Sequence, residues 1–255
     1  MSRPLSTLTP SAGPNTPVFV SVLEEDPDLG VGIAREDWQR AVQSALAPAL
    51  NFEPGRWCFA PPPDHGVLGA LVLSGMIVIQ VDAGSRCHIE LLGEGDIVSP
   101  WVTSGDDLTI PLVLNSLVVK HLRVAVLDRP FALRTARWPE IHAAVVRRVV
   151  VRTRRLSLQA AINAVPRVED RLELTLWELA YRFGRVTREG IALELPLTHS
   201  QLADILGVHR PSVTLALGRL QSQERLVHAA RHAWLLSGEP PPALELLARR
   251  TGLRA

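Results

Sequence analysis

Two textures of apolar and polar positions divide this chain. From about residue 51 to 130 the apolar residues come in short runs broken by Gly, Pro and Asp: Trp57–Phe59, Leu68–Leu73, Met76–Val81, His88–Leu92, Asp96–Val98, Leu108–Leu114, Leu117–Val119 and Val124–Leu127. Many short runs with turn residues between them predict an all-β sandwich or barrel. Gly75 and the pair Gly84-Ser85 read as the turns around one hairpin, and Gly93-Glu94-Gly95-Asp96 as another tight turn. Ahead of this region, residues 19–50 read as a short helical entry, with Asp37, Trp38, Ala41, Val42 and Leu46 spaced for an amphipathic helix.

The second texture begins at Trp138. To about Asn163 there is no glycine, and Pro139 falls in the first turn, where a missing N–H costs nothing. Ile141, Val145, Val149, Leu156 and Ala160 follow helical steps, a seam suited to pairing with another helix. Arg147-Arg148 and Arg152-Thr153-Arg154-Arg155 interleave with it and read as the solvated face of that helix rather than a stripe tracking DNA. Pro166 ends the helix, and Val168–Arg182 forms another after a short hinge. The tail after Pro242 is amphipathic and suited to packing back on the body.

Pro196–Leu235 carries the most specific signals. Thr198-His199-Ser200-Gln201 is a capping box, and Leu202, Ala203, Ile205 and Leu206 give the helix it opens an apolar face. Gly207 stands where a left-handed residue ends a helix, Ala203 is small enough for a close crossing, and Val208 plugs the turn. Pro211 opens a second helix whose buried stripe is Val213, Leu217 and Leu220, leaving Arg210, Ser212, Thr214 and Arg219 polar. This predicts a helix-turn-helix followed by a hairpin, with the second helix presenting polar groups to base edges and phosphates.

Charge supports that reading. Residues 1–137 hold 10 Lys+Arg against 15 Asp+Glu, and residues 138–255 hold 17 against 11, so an acidic half precedes a basic one. Hydrophobic residues make up 47% of the chain, yet no uninterrupted apolar stretch is long enough to span a membrane. The polar, proline-punctuated start, residues 1–18, has no signal-peptide core and reads as a disordered lead, so the cytoplasm is the expected compartment. Cys58 and Cys87 are too few for a disulfide framework or a metal centre, and no metal site is expected.

The order of these parts resembles the CRP/FNR superfamily of bacterial transcription regulators. The likeness rests on LTHSQLADILGVHRPSVTLALGRLQSQERLV, similar to the family's winged helix, and on Leu91-Leu92-Gly93-Glu94-Gly95-Asp96-Ile97, similar to its Gly-Asp turn between β-roll strands. It implies an α+β chain: a β-roll of the cyclic-nucleotide-binding type over 19–137, a dimerisation helix over 138–165, a winged helix-turn-helix over 166–238 and a tail over 239–255. It further implies a homodimer on near-palindromic double-stranded DNA, with RNA polymerase as a further partner and no membrane. Arg210 matches the family's leading base-reading arginine, suited to a guanine O6/N7 pair. The family's next glutamate is Pro211 here, and its later arginine is Leu215. Thr214, with Leu215 or Pro211 against thymine methyls, would complete the base readout. Thr198, Ser200, Ser212 and Arg219 are phosphate candidates, and Arg231 with His232 would reach the backbone from the wing. His209 stands at a family cap position without an assigned role.

The departures bear on the effector. Members that bind cyclic AMP carry a Gly-Glu pair and then an Arg-Ser after the Gly-Asp turn, whereas here Ser99-Pro100 follow and no arginine occurs between Arg86 and Arg123. A buried cyclic phosphate needs a paired cation. No cofactor is therefore expected and cyclic AMP is disfavoured, although control by a cyclic nucleotide or another small ligand is the alternative. Such a ligand would be less charged and lie near Gly95, Asp96, Ser99, Leu156 and Ser157. Two cysteines cannot hold an iron–sulfur cluster. An enzyme is not expected, since no nucleophile elbow, phosphate loop or metal-binding helix motif occurs. A winged helix retained for protein contacts is the remaining alternative, and the polar face of 210–219 speaks against it.

Overall fold

Residues 69–83 form one continuous strand where the apolar runs suggest two joined by a turn. Gly75 lies inside it with φ +90°, and a Cβ there would sit 1.9 Å from the His121 carbonyl oxygen of the neighbouring strand. A glycine needed for a close backbone approach looks the same in sequence as a turn glycine. The register of the two strands shifts around Val72, Ser74 and Met76, which marks a bulge. The bulge changes which side chains face inward. Ala70 and Val72 enter the interior of the roll before it, and Ile77 and Ile79 after it.

The computed structural model describes residues 18–57, 68–83, 86–98, 113–230, 233–244 and 246. β1 (Val18–Ser21), α1 (Val22–Glu25), a 3-10 turn (Pro27–Gly30) and α2 (Trp38–Ser44) lead into β2 (Leu46–Phe52) and β3 (Gly55–Arg56). Then come β4 (Gly69–Ala83), β5 (Arg86–Gly93), β6 (Ile97–Val98) and β7 (Val113–Leu127). These strands form one antiparallel sheet of order β1-β2-β7-β4-β5, with β3 on β7 and β6 on β4. The expected helical entry is thus only partly helical: Leu46 opens a strand, and β1 was not apparent in the sequence.

After α3 (Arg129–Arg134) the long α4 runs from Pro139 to Asn163 and α5 from Val168 to Phe183. A small hairpin, β8 (Arg185–Val186) and β9 (Ile191–Glu194), precedes α6 (His199–Leu206), α7 (Arg210–Ser222), β10 (Leu226–Ala230) and β11 (Ala233–Leu236). The second sheet has the order β10-β11-β9-β8. Among the described residues no helix is long and apolar enough to cross a membrane.

The seam expected on α4 divides in two. Ile141 and Val145 are buried with Leu71, Leu127, Phe131 and α2 in the chain's own core. Val146, Val149, Val150 and Leu156 remain exposed, at 38% or more. With Thr153 and Ala160 between and beyond them, these continue a heptad-spaced face toward the helix's C-terminal end. A third core joins α5, α6, α7 and the wing strands to Met76, Val78, Ile89 and Leu91 of β4 and β5. Leu244 of the tail packs into it, while Leu246 is exposed.

Candidate nucleic-acid interface

The helix-turn-helix is built by local chemistry. Thr198 Oγ1 accepts from the Gln201 N–H (3.2 Å), and Gln201 Oε1 accepts from the Thr198 N–H (2.8 Å), closing the capping box. Gly207 ends α6 at φ +64°, in the left-handed region, and the Val208 N–H donates to the Ala203 carbonyl (3.0 Å). Leu202, Ala203, Ile205 and Leu206 of α6 then meet Val213, Ala216, Leu217 and Leu220 of α7.

That packing turns the other side of α7 outward. Arg210, Pro211, Thr214, Leu215, Gly218, Arg219 and Ser222 line one concave strip of surface. Leu215 is 57% exposed, and among the described residues the Arg210 guanidinium pairs with no carboxylate. Of the candidates named from sequence, Arg210, Pro211, Thr214, Leu215 and Arg219 are therefore gathered together. Ser212 is half-buried off the strip, Ser200 is exposed in the first turn of α6, and His209 is the N-cap of α7 without a side-chain capping bond. Arg219 pairs with Glu169 of α5, so its charge is partly neutralised within the chain. Arg231 and His232 lie outside the described residues, as do Ser99 and Cys58.

One participant was not apparent in the sequence. His199 Nδ1 lies 3.2 Å from Thr214 Oγ1, which in turn donates to the Arg210 carbonyl (3.3 Å). The imidazole opens α6 and so ties the first helix to the outward face of the second.

A second constellation joins the two halves of the chain. Asp96, only 7% exposed, receives the Gly93 N–H (2.9 Å), Arg155 of α4 (2.6 Å) and Arg182 of α5 (2.8 Å). Arg182 also donates to the Leu91 carbonyl (3.1 Å). Arg148 bonds Asp26 (2.8 Å) and the Gly95 carbonyl (2.7 Å), and Arg152 forms a two-bond fork with Glu90 (2.8 and 2.7 Å). The expectation of a solvated arginine face on α4 is overturned for Arg148, Arg152 and Arg155. Their carboxylate partners lie 59 to 122 residues away in sequence, and such distant pairings leave no trace in a local pattern. Beside them Glu178 of α5 is largely buried, and desolvation raises its carboxyl against the opposing pull of Arg182 and Arg155.

Of the residues expected to line a pocket with Ser99, which lies outside the described ones, Gly95 and Asp96 border a different cavity from Leu156. Gly95 and Asp96 border an open cavity with Asp28, Glu94, Arg147 and Arg148, whereas Leu156 borders a smaller one with Glu90, Gln159 and Glu178. Ser157 Oγ donates to the Thr153 carbonyl (3.2 Å) on the exposed side of α4. Among the described residues no group of His, Cys, Asp and Glu could hold a metal ion.

The helix-turn-helix also docks on the β-roll. α6 lies against β5, where Ile205 borders the cavity of Ile89 and Leu91. Burial and then Asp82 of β4 raise the Asp204 carboxyl. Burial, with Asp204 and Asp82 nearby, pushes the half-buried Cys87 thiol up to about 11.

Comparison with known proteins agrees with this arrangement. Residues 170–236 match the Crp-like helix-turn-helix domain. Three solved structures share the fold. A double mutant of CooA from Carboxydothermus hydrogenoformans is 18% identical, with 80% of this chain and 87% of that one covered at a TM-score of 0.58. FixK2 from Bradyrhizobium japonicum is 16% identical, with 80% and 96% covered at 0.59. CLP, the c-di-GMP responsive global regulator of Xanthomonas campestris, is 20% identical, with 81% and 100% covered at 0.56. No curated protein matches the sequence. Residues 170–236 therefore carry a Crp-like helix-turn-helix domain, and the chain as a whole shares the α+β fold of these solved structures.

Proposed function

We propose that this chain is a sequence-specific, DNA-binding transcription regulator that acts as a homodimer on a near-palindromic site, and that it is not an enzyme. The observation that carries the reading is the outward strip of α7, where Arg210, without a carboxylate partner among the described residues, stands at the helix start beside Pro211, Thr214, Leu215 and Gly218. An arginine so placed suits the floor of a major groove. Dimerisation is supported by the exposed stripe of Val146, Val149, Val150 and Leu156 on α4, which needs a second apolar face to leave water. A selection from random duplex DNA with the purified chain tests this. Enrichment of a near-palindromic motif with a G·C pair in each half-site is expected, and recovery of unselected sequence would refute it.

Cyclic AMP is not the effector on this reading. The arginines that reach the turn at Gly95 and Asp96 already pair with Asp26, Glu90 and Asp96, so a phosphate would have to compete with buried carboxylates. A regulator gated by another small ligand is the second reading, favoured by the open cavity between Asp28, Glu94 and Arg147.

A further inference from the structure

We propose that Thr214, held by His199, reads the 5-methyl group of a thymine, so that the half-site is recognised by one arginine and a methyl-sensing apolar patch. The inference rests on the DNA-binding reading above. A threonine hydroxyl has one proton and two lone pairs. In Thr214 that proton goes to the Arg210 carbonyl (3.3 Å), and a lone pair faces His199 Nδ1 at 3.2 Å, so the imidazole is the donor in that contact. The only proton of the side chain and one of its two lone pairs are thereby engaged within the protein, so the hydroxyl has no donor left for a base edge. Besides the second lone pair, what remains for a base edge is the methyl group. Its neighbours on the strip are Pro211, Leu215 and Gly218, none of which has a side-chain donor or acceptor. Leucine 57% exposed on a soluble helix finds a partner when a thymine methyl fills the same groove. Thr214 lies one helical turn beyond Arg210, about 6 Å along the axis, so the thymine falls within about two base pairs of the guanine.

His199 is a positioning residue in this scheme. It sits at the start of α6, in the other helix of the motif, and fixes the rotamer of Thr214 from outside α7. Without it the hydroxyl is free to turn outward and accept or donate at any base, which lowers discrimination while keeping a polar contact.

The test uses the full chain and a random-sequence duplex library. The best selected duplex is then resynthesised with deoxyuridine replacing each thymine near the conserved guanine. Loss of one buried methyl should weaken binding about fourfold per half-site. Thr214→Ser, which keeps the hydroxyl and loses the methyl, should bind thymine and uracil duplexes alike. Thr214→Val, which keeps methyl groups and loses the hydroxyl, should keep the preference. His199→Ala should reduce the thymine-to-uracil ratio, whereas a purely structural role would lower affinity for both duplexes equally. Equal binding of the two duplexes by the wild-type chain, with the selected site otherwise intact, overturns the methyl reading and leaves DNA recognition standing. Failure to select any site overturns the proposed function itself.

Discussion

Arg182 of α5 and Asp96 of the turn after β5 are joined at 2.8 Å, and both are largely buried. Since Arg155 reaches the other oxygen of the same carboxylate, one side chain links the β-roll, the long helix and the first helix of the Crp-like domain. Removing its charge leaves two guanidinium groups facing a neutral amide. Asp96→Asn should lower the unfolding free energy by roughly 3 kcal/mol, the low end for breaking a buried ion pair. Urea denaturation measures it, and hydrogen exchange should quicken first around Arg182.

The two halves of the α4 seam should respond differently to charge. Val149→Asp together with Leu156→Asp places carboxylates on the exposed stripe, so the folded chain should sediment as a monomer. Ile141→Asp instead buries a charge in the core shared with Phe131 and Leu127, and should unfold the β-roll. Unchanged sedimentation of the double variant would refute dimerisation through this helix.

Arg210→Ala should relax preference at one symmetric pair of G·C positions, a loss of about 1–3 kcal/mol in discrimination, with non-specific binding largely retained. The Glu169–Arg219 pair makes a complementary case. Glu169→Gln should release Arg219 for phosphate, tighten binding to all sequences and steepen the salt dependence by about one unit of slope, whereas Arg219→Ala should do the reverse. Titrations across a salt series with specific and random duplexes read both effects.

Stability should depend on Asp204 and Glu178 in the direction set by their burial, which for Glu178 outweighs its ion pair with Arg182. Burial raises both carboxyls above their ordinary values, so the folded state favours the protonated form. Their stabilising effect is complete below the ordinary carboxylate range and is lost as pH rises through the raised values. Asp204→Asn should therefore stabilise the chain at neutral pH and flatten the rise in stability on mild acidification, as followed by urea midpoints from pH 7 downward.

Calorimetry with cyclic AMP and cyclic GMP should show no binding at micromolar concentrations. Arg148→Ala should not create it, since that change removes a cation and leaves Asp26 unpaired. Micromolar affinity for either nucleotide would overturn the assignment of these arginines to carboxylates.

The legible parts of this chain are those specified by neighbours in sequence. Thr198, Gln201, Gly207 and Pro211 act within a few residues of themselves, and the helix-turn-helix follows from them. Gly75 was misread because turn and bulge need the same residue. The arginines of α4 were misread because Asp26, Glu90 and Asp96 reach them only through the fold. His199 had one signal, its place at the start of α6, but its contact with Thr214 depends on how two helices cross.

The bulge at Gly75 makes β4 common property of three cores: Leu71 and Leu73 belong to one, Ile77 and Ile79 to a second, and Met76 and Val78 to the third. A strand shared in this way cannot leave one core without loosening the others. The β-roll and the Crp-like helix-turn-helix domain are then not beads on a string but one cooperative body, and heat should melt them in a single transition. A force applied at one end would be felt at the other through the backbone of a single strand.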